Sequence, residues 1–432
     1  MKIYIKVFLP KEHRDDVGKV KYLYNDRRDT LFAPRVICLM LFVIAVLFFS
    51  VIHASAQTEI ELDMSAGSKF GEQITFTAKL KSPLQIQSAS ILIHDMTHAT
   101  THIQPVTFDQ NGESEFRFDT RQNLIRPFAT LLWRYELTLL DGSRMQSQSA
   151  SIRYDDNRFG WHHIQNGSFN IHWYNGDPDF GTSALNAALA GEQKIAEFFP
   201  SGLSSFVDIF IYDNESDLSG ALYGAGEDWV TGHADSAAGV ITVNIEAGEG
   251  QNIIMEQRIP HELMHIILAR QVGAGYKNIP AWLREGMAIS AELYPNPEYE
   301  RFLTDAAARD ALIPIKDLCA SFSPQIDSAF LAYAESRSFT NYLRGQYGVD
   351  GLLTLATAYA DGVECERGPE RAFGSSLAML ERDWRVTILG QDNIASTLGN
   401  FAPYIGLLCL VVFFPLIGIM NSMRKKGTSH GR

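Results

Sequence analysis

Residues 260–265 are PHELMH, which has the spacing His-Glu-x-x-His. On an α-helix, residues i and i+4 project from one face, so the imidazoles of His261 and His265 can bind one Zn²⁺ at about 2.0–2.1 Å. Glu262 follows the first histidine and can reach a metal-bound water without binding the metal. The alternative is an ordinary amphipathic helix that carries the pattern by chance, so the surrounding sequence has to support a metal site.

The residues around the motif fit a metal-binding helix. Pro260 suits a first helical turn, residues 266–268 continue an apolar face, and Gly273 or Gly275 can end the helix. A catalytic zinc site has three protein ligands and leaves a fourth position for water, whose pKa falls towards about 7. Glu262 is then expected to take a proton from that water and to pass it to the leaving amine.

The third ligand is predicted to be Glu285, twenty residues after His265, in the stretch PAWLREGMA of residues 280–288. This separation allows one helix to end, a loop to turn and a second helix to begin. Gly286 has no side chain, which lets two helices approach closely beside the glutamate. A glutamate on a helix is usually a surface residue, but at this distance from the motif a metal ligand is favoured.

HELMH followed by PAWLREGMAISAE resembles the gluzincin clan of zinc metallopeptidases, and most closely the peptidase MA-like proteins. The element Trp-Leu-x-Glu-Gly-x-Ala is also similar to aminopeptidase N, whose upstream Gly-x-Met-x-Asn element is missing here. The resemblance covers about residues 160–388. It implies that His261, His265 and Glu285 are zinc ligands and that Glu262 is the catalytic base.

Two further site residues are predicted with an alternative for each. Tyr333 occupies the place where related gluzincins carry a tyrosine that donates a hydrogen bond to the oxyanion; the alternative is a tyrosine packed in the core. Glu292 follows Glu285 by seven residues on the same helical face and can orient a ligand histidine. The alternative for Glu292 is a solvated helix charge.

A strand just before the motif helix is the predicted substrate contact. In gluzincin-like sites, a strand at this position pairs with extended substrate backbone, which predicts contacts from Ala237, Gly239 and Ile241 within residues 237–245. The alternative is a strand that is simply buried.

Hydrophobic periodicity divides the rest of the chain into two modules. Residues 57–158 alternate with period two over about seven short strands, and Asp141-Gly142 is typical of a hairpin turn, which predicts a small β-sandwich acting as a spacer or binding module. Residues 159–390 place short strands first and helices second, the order of an α+β fold. This second module is the predicted gluzincin-like domain, with a small mixed sheet and a mostly helical second half.

Two apolar runs predict the topology. In residues 1–56, a basic segment precedes the uncharged run 36–52, and Ala-Ser-Ala at 54–56 suits signal peptidase, so this is a signal peptide or a signal anchor. Residues 401–420 lack charge and have the length of a transmembrane helix, and the basic tail 421–432 marks the cytoplasmic side. The expected location is the cytoplasmic membrane, with the catalytic domain at the cell surface or in the periplasm.

The net charge of the chain limits its binding partners, and its cysteines raise the question of a disulfide. Residues 57–432 hold 28 basic and 45 acidic side chains, a net charge of −17, which repels nucleic acid and anionic lipid headgroups. A peptide or protein substrate is expected, and no nucleic acid. Cys319 and Cys365 are the two cysteines between the apolar runs; in an oxidising compartment they form a disulfide or remain two buried thiols.

The sequence therefore predicts a membrane-anchored, extracytoplasmic peptidase that uses zinc. The alternative is a non-enzymatic surface protein that keeps a gluzincin-like domain for binding or structure, against which the intact Glu262 and Glu285 count. An intramembrane protease is rejected because Glu256, Arg258 and Arg270 flank the motif too closely.

Overall fold

The computed structural model describes residues 58–200, 203, 205–222, 232–322, 326–391, 403–404 and 406–411. The predicted signal segment 1–56 and the basic tail 421–432 lie outside the described residues. The chain from Thr58 onward forms one compact unit. Its fold is α+β, as predicted, with three sheets followed by a helical second half.

The prediction of a transmembrane helix at 401–420 is wrong for the part of the chain that the structure describes. A helix needs about 20 consecutive apolar residues to cross a bilayer, and none of the helices in the described ranges is long and apolar enough. Of residues 401–420, only 403–404 and 406–411 are described. The longest described helices, Gln251–Val272 and Ile326–Ala360, carry charged side chains.

The N-terminal module is built from two sheets. Its strands are β1 (Thr58–Ile60), β2 (Leu62–Lys69), β3 (Gln73–Leu80), β4 (Ile86–Asp95), β5 (Thr100–Val106), β6 (Glu113–Asp119), β7 (Thr130–Leu139), β8 (Arg144–Ser147) and β9 (Ala150–Arg153). One sheet has the order β1-β8-β7-β4-β5, with β9 also paired to β7, and the other has the order β2-β3-β6. Alternate side chains face inward, and Phe76 packs edge-to-face on Trp133 across the two sheets. The predicted hairpin turn at Asp141-Gly142 joins β7 to β8, with a φ of +84° at Gly142.

The second module begins with a mixed sheet. Its strands are β10 (His162–Asn166), β11 (Phe169–Trp173), β12 (Val207–Tyr212), β13 (Gly232–Asp235) and β14 (Val240–Asn244). The order is β10-β11-β12-β14-β13, with the three central strands parallel and the two outer strands antiparallel to their neighbours. The helices are α1 (Pro178–Ile195), α2 (Glu215–Ala221), α3 (Gln251–Val272), α4 (Ala281–Ala291), α5 (Glu298–Ala308), α6 (Ile326–Ala360), α7 (Gly368–Phe373) and α8 (Leu377–Leu389).

Two glycines allow close helix contacts around α3 and α4. At Gly191 of α1, a Cβ would lie 2.9 Å from the ring of Pro260, so α1 lies directly against α3. At Gly286 of α4, a Cβ would lie 2.1 Å from Thr340 Oγ1 and 2.5 Å from the carbonyl oxygen of Ser336. The close approach predicted at Gly286 is present, but its partner is α6 and not the motif helix.

The two modules share an apolar core. Phe128, beside the sandwich, stacks on Phe210 of β12 with ring centroids 3.8 Å apart, a contact worth about 1 kcal/mol beyond the area it buries. Tyr212 and Leu218 belong to the same cluster of buried side chains as the sandwich core. The sandwich is therefore packed onto the second module and is not a separate spacer in this structure.

Of the two alternatives for the cysteines, the structure has the disulfide. Cys319 and Cys365 are bonded across a separation of 46 residues. The carbonyl of Cys319 accepts a hydrogen bond from the amide of Ala281, the first residue of α4. The disulfide thus ties the start of α4 to the chain that follows α6.

Candidate metal and active site

The motif helix α3 starts at Gln251, so Pro260 lies inside the helix and not in its first turn as predicted. Proline has no N–H, which leaves the carbonyl of Glu256 without its usual helical donor. The amide of Leu293, just after α4, donates to that carbonyl at 2.9 Å. Pro260 thereby creates an acceptor that fixes the end of α4 against the motif helix.

His261, His265 and Glu285 converge at one point. Each offers a ligand atom, and these three atoms lie within 4.8 Å of one another. Glu285 Oε2 lies 3.4 Å from Nε2 of His261 and 3.7 Å from Nε2 of His265. Helices α3 and α4 therefore bring together the three side chains that the sequence predicts as ligands.

The other ring nitrogen of His261 faces Glu292. His261 Nδ1 lies 3.1 Å from Glu292 Oε1. Glu292 follows the last residue of α4, is only 3% exposed, and its carbonyl accepts a hydrogen bond from Lys194. The structure thus places Glu292 as an orienting carboxylate and not as a solvated charge. With its proton on Nδ1, His261 presents the lone pair of Nε2 to the converging point.

His265 is oriented by a residue that the sequence did not predict. Its Nδ1 lies 3.0 Å from the hydroxyl of Tyr276, in the 3-10 helix Gly273–Asn278 that follows α3. A hydroxyl oxygen can accept a hydrogen bond from a protonated Nδ1, and in that tautomer Nε2 of this histidine also keeps its lone pair for the shared point. Tyr276 lies beyond the end of the motif helix, where helical periodicity gives no signal for it.

The charges at the site suit a bound cation. Burial raises the pKa of Glu285, but the neighbouring His265 and His261 outweigh this effect and hold it well below its usual range. Burial lowers the pKa of His261, but hydrogen bonds to Glu285 and Glu292 outweigh it and raise the pKa well above its usual value. Two imidazole nitrogens and one carboxylate are the donor set of a catalytic zinc site with three protein ligands. The residues present therefore fit a divalent zinc ion.

Glu262 lies beside the ligands and against the sheet. It is 8% exposed, and a Cβ on Gly232 of β13 would lie 2.5 Å from its Oε1. The backbone of β13 therefore passes directly over the carboxylate, in space that only a glycine leaves free. Gly232 could not be predicted from the sequence, because nothing in the local pattern indicates which strand contacts the motif helix.

The predicted substrate contacts at Ala237, Gly239 and Ile241 are corrected by the sheet order. Ala237 and Gly239 lie in the turn between β13 and β14. Ile241 is fully buried on β14, which is paired with β12 on one side and β13 on the other. A strand paired on both sides has no free edge for substrate, whereas β13, next to β14, is one of the two edge strands of this sheet among the described residues.

Tyr333 lies on α6 and is half-buried. Its ring packs edge-to-face on Phe322, with centroids 5.2 Å apart. This placement leaves the oxyanion role of Tyr333 as a prediction.

One comparison with known protein families matches most of the second module. Residues 187–390 match the family described as the Peptidase MA superfamily. This range contains both histidines, Glu262, Glu285 and both orienting residues. A search of curated proteins finds no match.

Solved structures resemble parts of the chain only weakly. A polysaccharide deacetylase from Bacillus cereus is 8% identical, covers 43% of this chain and 60% of its own, and has a TM-score of 0.19. A purple acid phosphatase from yellow lupin seeds is 9% identical, with coverages of 46% and 39% and a TM-score of 0.19. Cwp6 from Clostridium difficile is 11% identical, with coverages of 56% and 48% and a TM-score of 0.16. The chain thus spans less than two thirds of these proteins, and scores this low carry no argument about fold or function.

Proposed function

We propose that the chain is a zinc-dependent peptidase that hydrolyses peptide bonds outside the cytoplasm, because residues 187–390 match the peptidase MA superfamily. The observation that carries the proposal is the convergence of His261, His265 and Glu285 beside Glu262. A purely structural metal site needs no buried base next to its ligands, whereas a metal site that catalyses hydrolysis needs one.

Each residue of the site has its own proposed role in peptide-bond hydrolysis. His261, His265 and Glu285 would hold a zinc ion, which would supply Lewis-acid chemistry that activates water at neutral pH. Glu262 accepts a proton from the attacking water at a carboxylate oxygen and donates it to the nitrogen of the leaving amine. We assign Tyr333 to donate a hydrogen bond from its phenol hydroxyl to the oxyanion that develops on the scissile carbonyl.

We propose that the substrate binds along the free edge of β13. An extended peptide can add to a free sheet edge through backbone hydrogen bonds. Because Gly232 at the start of β13 lies against Glu262, a peptide bound along this edge passes the catalytic base. This arrangement supports a peptide or protein substrate bound in extended form.

The disulfide supports a location outside the cytoplasm. Disulfides form and persist in oxidising compartments and are rare in the cytosol, and Cys319 is bonded to Cys365. We therefore propose that the catalytic module works at the cell surface or in the periplasm.

The decisive experiment compares zinc content and peptide cleavage in three proteins. Wild type should bind one zinc and cleave a peptide library. His265→Ala should lose stoichiometric zinc together with cleavage. Glu262→Gln should keep the zinc and lose at least about 10²–10⁴-fold in hydrolysis, because it removes only the base.

Two results would contradict the proposal. If wild type binds zinc but cleaves no peptide, the alternative of a non-enzymatic binding protein gains. If Glu262→Gln cleaves as fast as wild type, the assigned base is wrong even if the metal site stands.

A further inference from the structure

One histidine of the sandwich links two carboxylates from the two modules. His98 follows β4, and its Nδ1 lies 3.0 Å from Asp95 Oδ2 at the end of the same strand. Its Nε2 lies 3.2 Å from Asp235 Oδ2, the last residue of β13 in the other module. The side chains of Asp95 and Asp235 are 4% and 10% exposed, so these contacts are shielded from solvent.

Both carboxylates are fixed by their own backbones. Asp95 Oδ1 accepts hydrogen bonds from the amides of Thr97 and His98, at 2.8 and 3.1 Å. Asp235 Oδ1 accepts from the two amides at 237 and 238, each at 3.0 Å. The second oxygen of each carboxylate is thereby directed at the His98 ring. Arg126 of the sandwich approaches Asp235 Oδ2 more distantly, at 3.9 Å.

The strand held by this contact is the one that borders the catalytic base. β13 has four residues, so Asp235 lies about 10 Å from Gly232, whose backbone covers Glu262. Among the described strands, β13 pairs only with β14. A short edge strand with one partner is easily displaced, and an additional contact at its end limits that motion.

The sandwich can act as a rigid support because it is packed on the second module. The Phe128–Phe210 stack joins their apolar cores. Arg153 of β9 also donates to Asp208 of β12 at 2.9 Å. A group anchored in the sandwich is therefore held in place relative to the sheet.

We propose that His98 is a positioning residue for the substrate edge: through Asp235 it fixes β13, so that the sandwich orders the strand on which an extended peptide binds. This inference rests on the proposed peptidase function. It assigns the sandwich a part in substrate binding without any contact to the reacting atoms.

The first test measures steady-state kinetics of the zinc-loaded full chain on a cleaved peptide. His98→Ala should raise KM about tenfold, because substrate then has to order β13, and should leave kcat within about twofold. His94→Ala is the matched control, since His94 lies in the same hairpin and its Nδ1 contacts Thr101 instead. Asp235→Asn should retain the wild-type KM, because its carboxamide can still cap the turn and form a hydrogen bond with His98. An unchanged KM in His98→Ala, or a loss confined to kcat, would overturn the inference.

The second test needs no activity. Hydrogen exchange of the amides at 232–235 should be faster in His98→Ala than in wild type or His94→Ala, with α3 and α4 unchanged. Equal exchange at β13, or a uniform increase over the whole chain, would refute a local positioning role. If wild type cleaves no peptide, the proposed function fails, while this measurement still decides whether His98 fixes the strand.

Discussion

At the scale of single residues, the two histidines of the site are oriented by unlike partners. His261 Nδ1 faces the carboxylate of Glu292, and His265 Nδ1 faces the phenol of Tyr276. Either kind of acceptor fixes the orientation and the tautomer of the ring that it contacts.

The first prediction concerns Tyr276. Tyr276→Phe keeps the ring but removes the partner of His265 Nδ1, so zinc affinity should fall about 10- to 100-fold. A chelator competition titration measures this change. Tyr294→Phe is the control, because Tyr294 is half exposed and near the same region of the chain. Equal zinc affinity in Tyr276→Phe and wild type would show that the hydroxyl does not support the ligand.

The sequence indicated four of the six residues at this site from spacing, and Glu292 from its position seven residues after Glu285. The first four lie on two helices, where periodicity places side chains on a known face, and Glu292 directly follows the second helix. Tyr276 could not be found in this way, because it lies in a 3-10 helix after α3. Its contact with His265 depends on how the chain turns between the two helices.

At the scale of elements, the site depends on where strands and helices meet α3. The strand predicted near the motif, residues 237–245, includes the inner strand β14 and not the edge strand β13. The pattern of a buried strand does not reveal its order in a sheet. The predicted start of α3 at Pro260 is also wrong. Pro260 is tolerated inside the helix because the amide of Leu293 donates to the freed carbonyl of Glu256. This contact joins residues far apart in the sequence, so no local pattern predicts it.

The second prediction tests the contact between β13 and the base. In Gly232→Ala the new Cβ would lie 2.5 Å from Glu262 Oε1, so the carboxylate or the strand must move. Displacing a catalytic group by about 1 Å costs on the order of 10²-fold in rate. We expect kcat/KM to fall by about that factor while zinc content stays at wild type. Gly160→Ala is the control, since no atom lies within 4 Å of its Cβ position; a fully active Gly232→Ala would show that the strand is not close to the base.

The third prediction concerns α6, which packs on the ligand helix. Glu335 is fully buried there, and burial raises its pKa to about 8, although one oxygen accepts a hydrogen bond from the amide of Ile313. Because the folded pKa lies above the unfolded value, the folded state binds the proton more tightly. The free energy of unfolding should therefore decrease as pH rises from about 4.5 to about 8.

Glu335→Gln isolates this effect, because the amide keeps the acceptor for Ile313 and cannot ionise. Denaturant unfolding should find this variant more stable than wild type at pH 8 and close to it at pH 5. Glu300→Gln, at an exposed position of α5, should follow wild type at both values. A Glu335→Gln variant with the same pH dependence as wild type would contradict the raised pKa.

At the scale of the whole molecule, the two modules and the helical half depend on a few long-range ties. Periodicity predicted a sandwich and an α+β module, but not that they share one core through Phe210 and Tyr212. The apolar pattern of β12 predicts a buried strand whether or not the sandwich covers it. Only the packing of the two modules shows that the sandwich buries these side chains, so the sequence alone predicts a spacer or binding module.

The last prediction concerns the disulfide between Cys319 and Cys365, which links positions 46 residues apart in the chain. Closing a loop of 46 residues stabilises a chain by about 4 kcal/mol in the chain-entropy model. The Cys319→Ser/Cys365→Ser variant should therefore lose about 2–4 kcal/mol of unfolding free energy, measured by denaturant titration. Because the carbonyl of Cys319 also accepts a hydrogen bond from Ala281 at the start of α4, the helix that carries Glu285, zinc affinity should fall as well.

A reductant added to wild type should reproduce both losses, and it should have no further effect on the double-serine variant. If the double-serine variant is as stable as wild type, or if reductant acts equally on both proteins, the disulfide does not hold this end of the site.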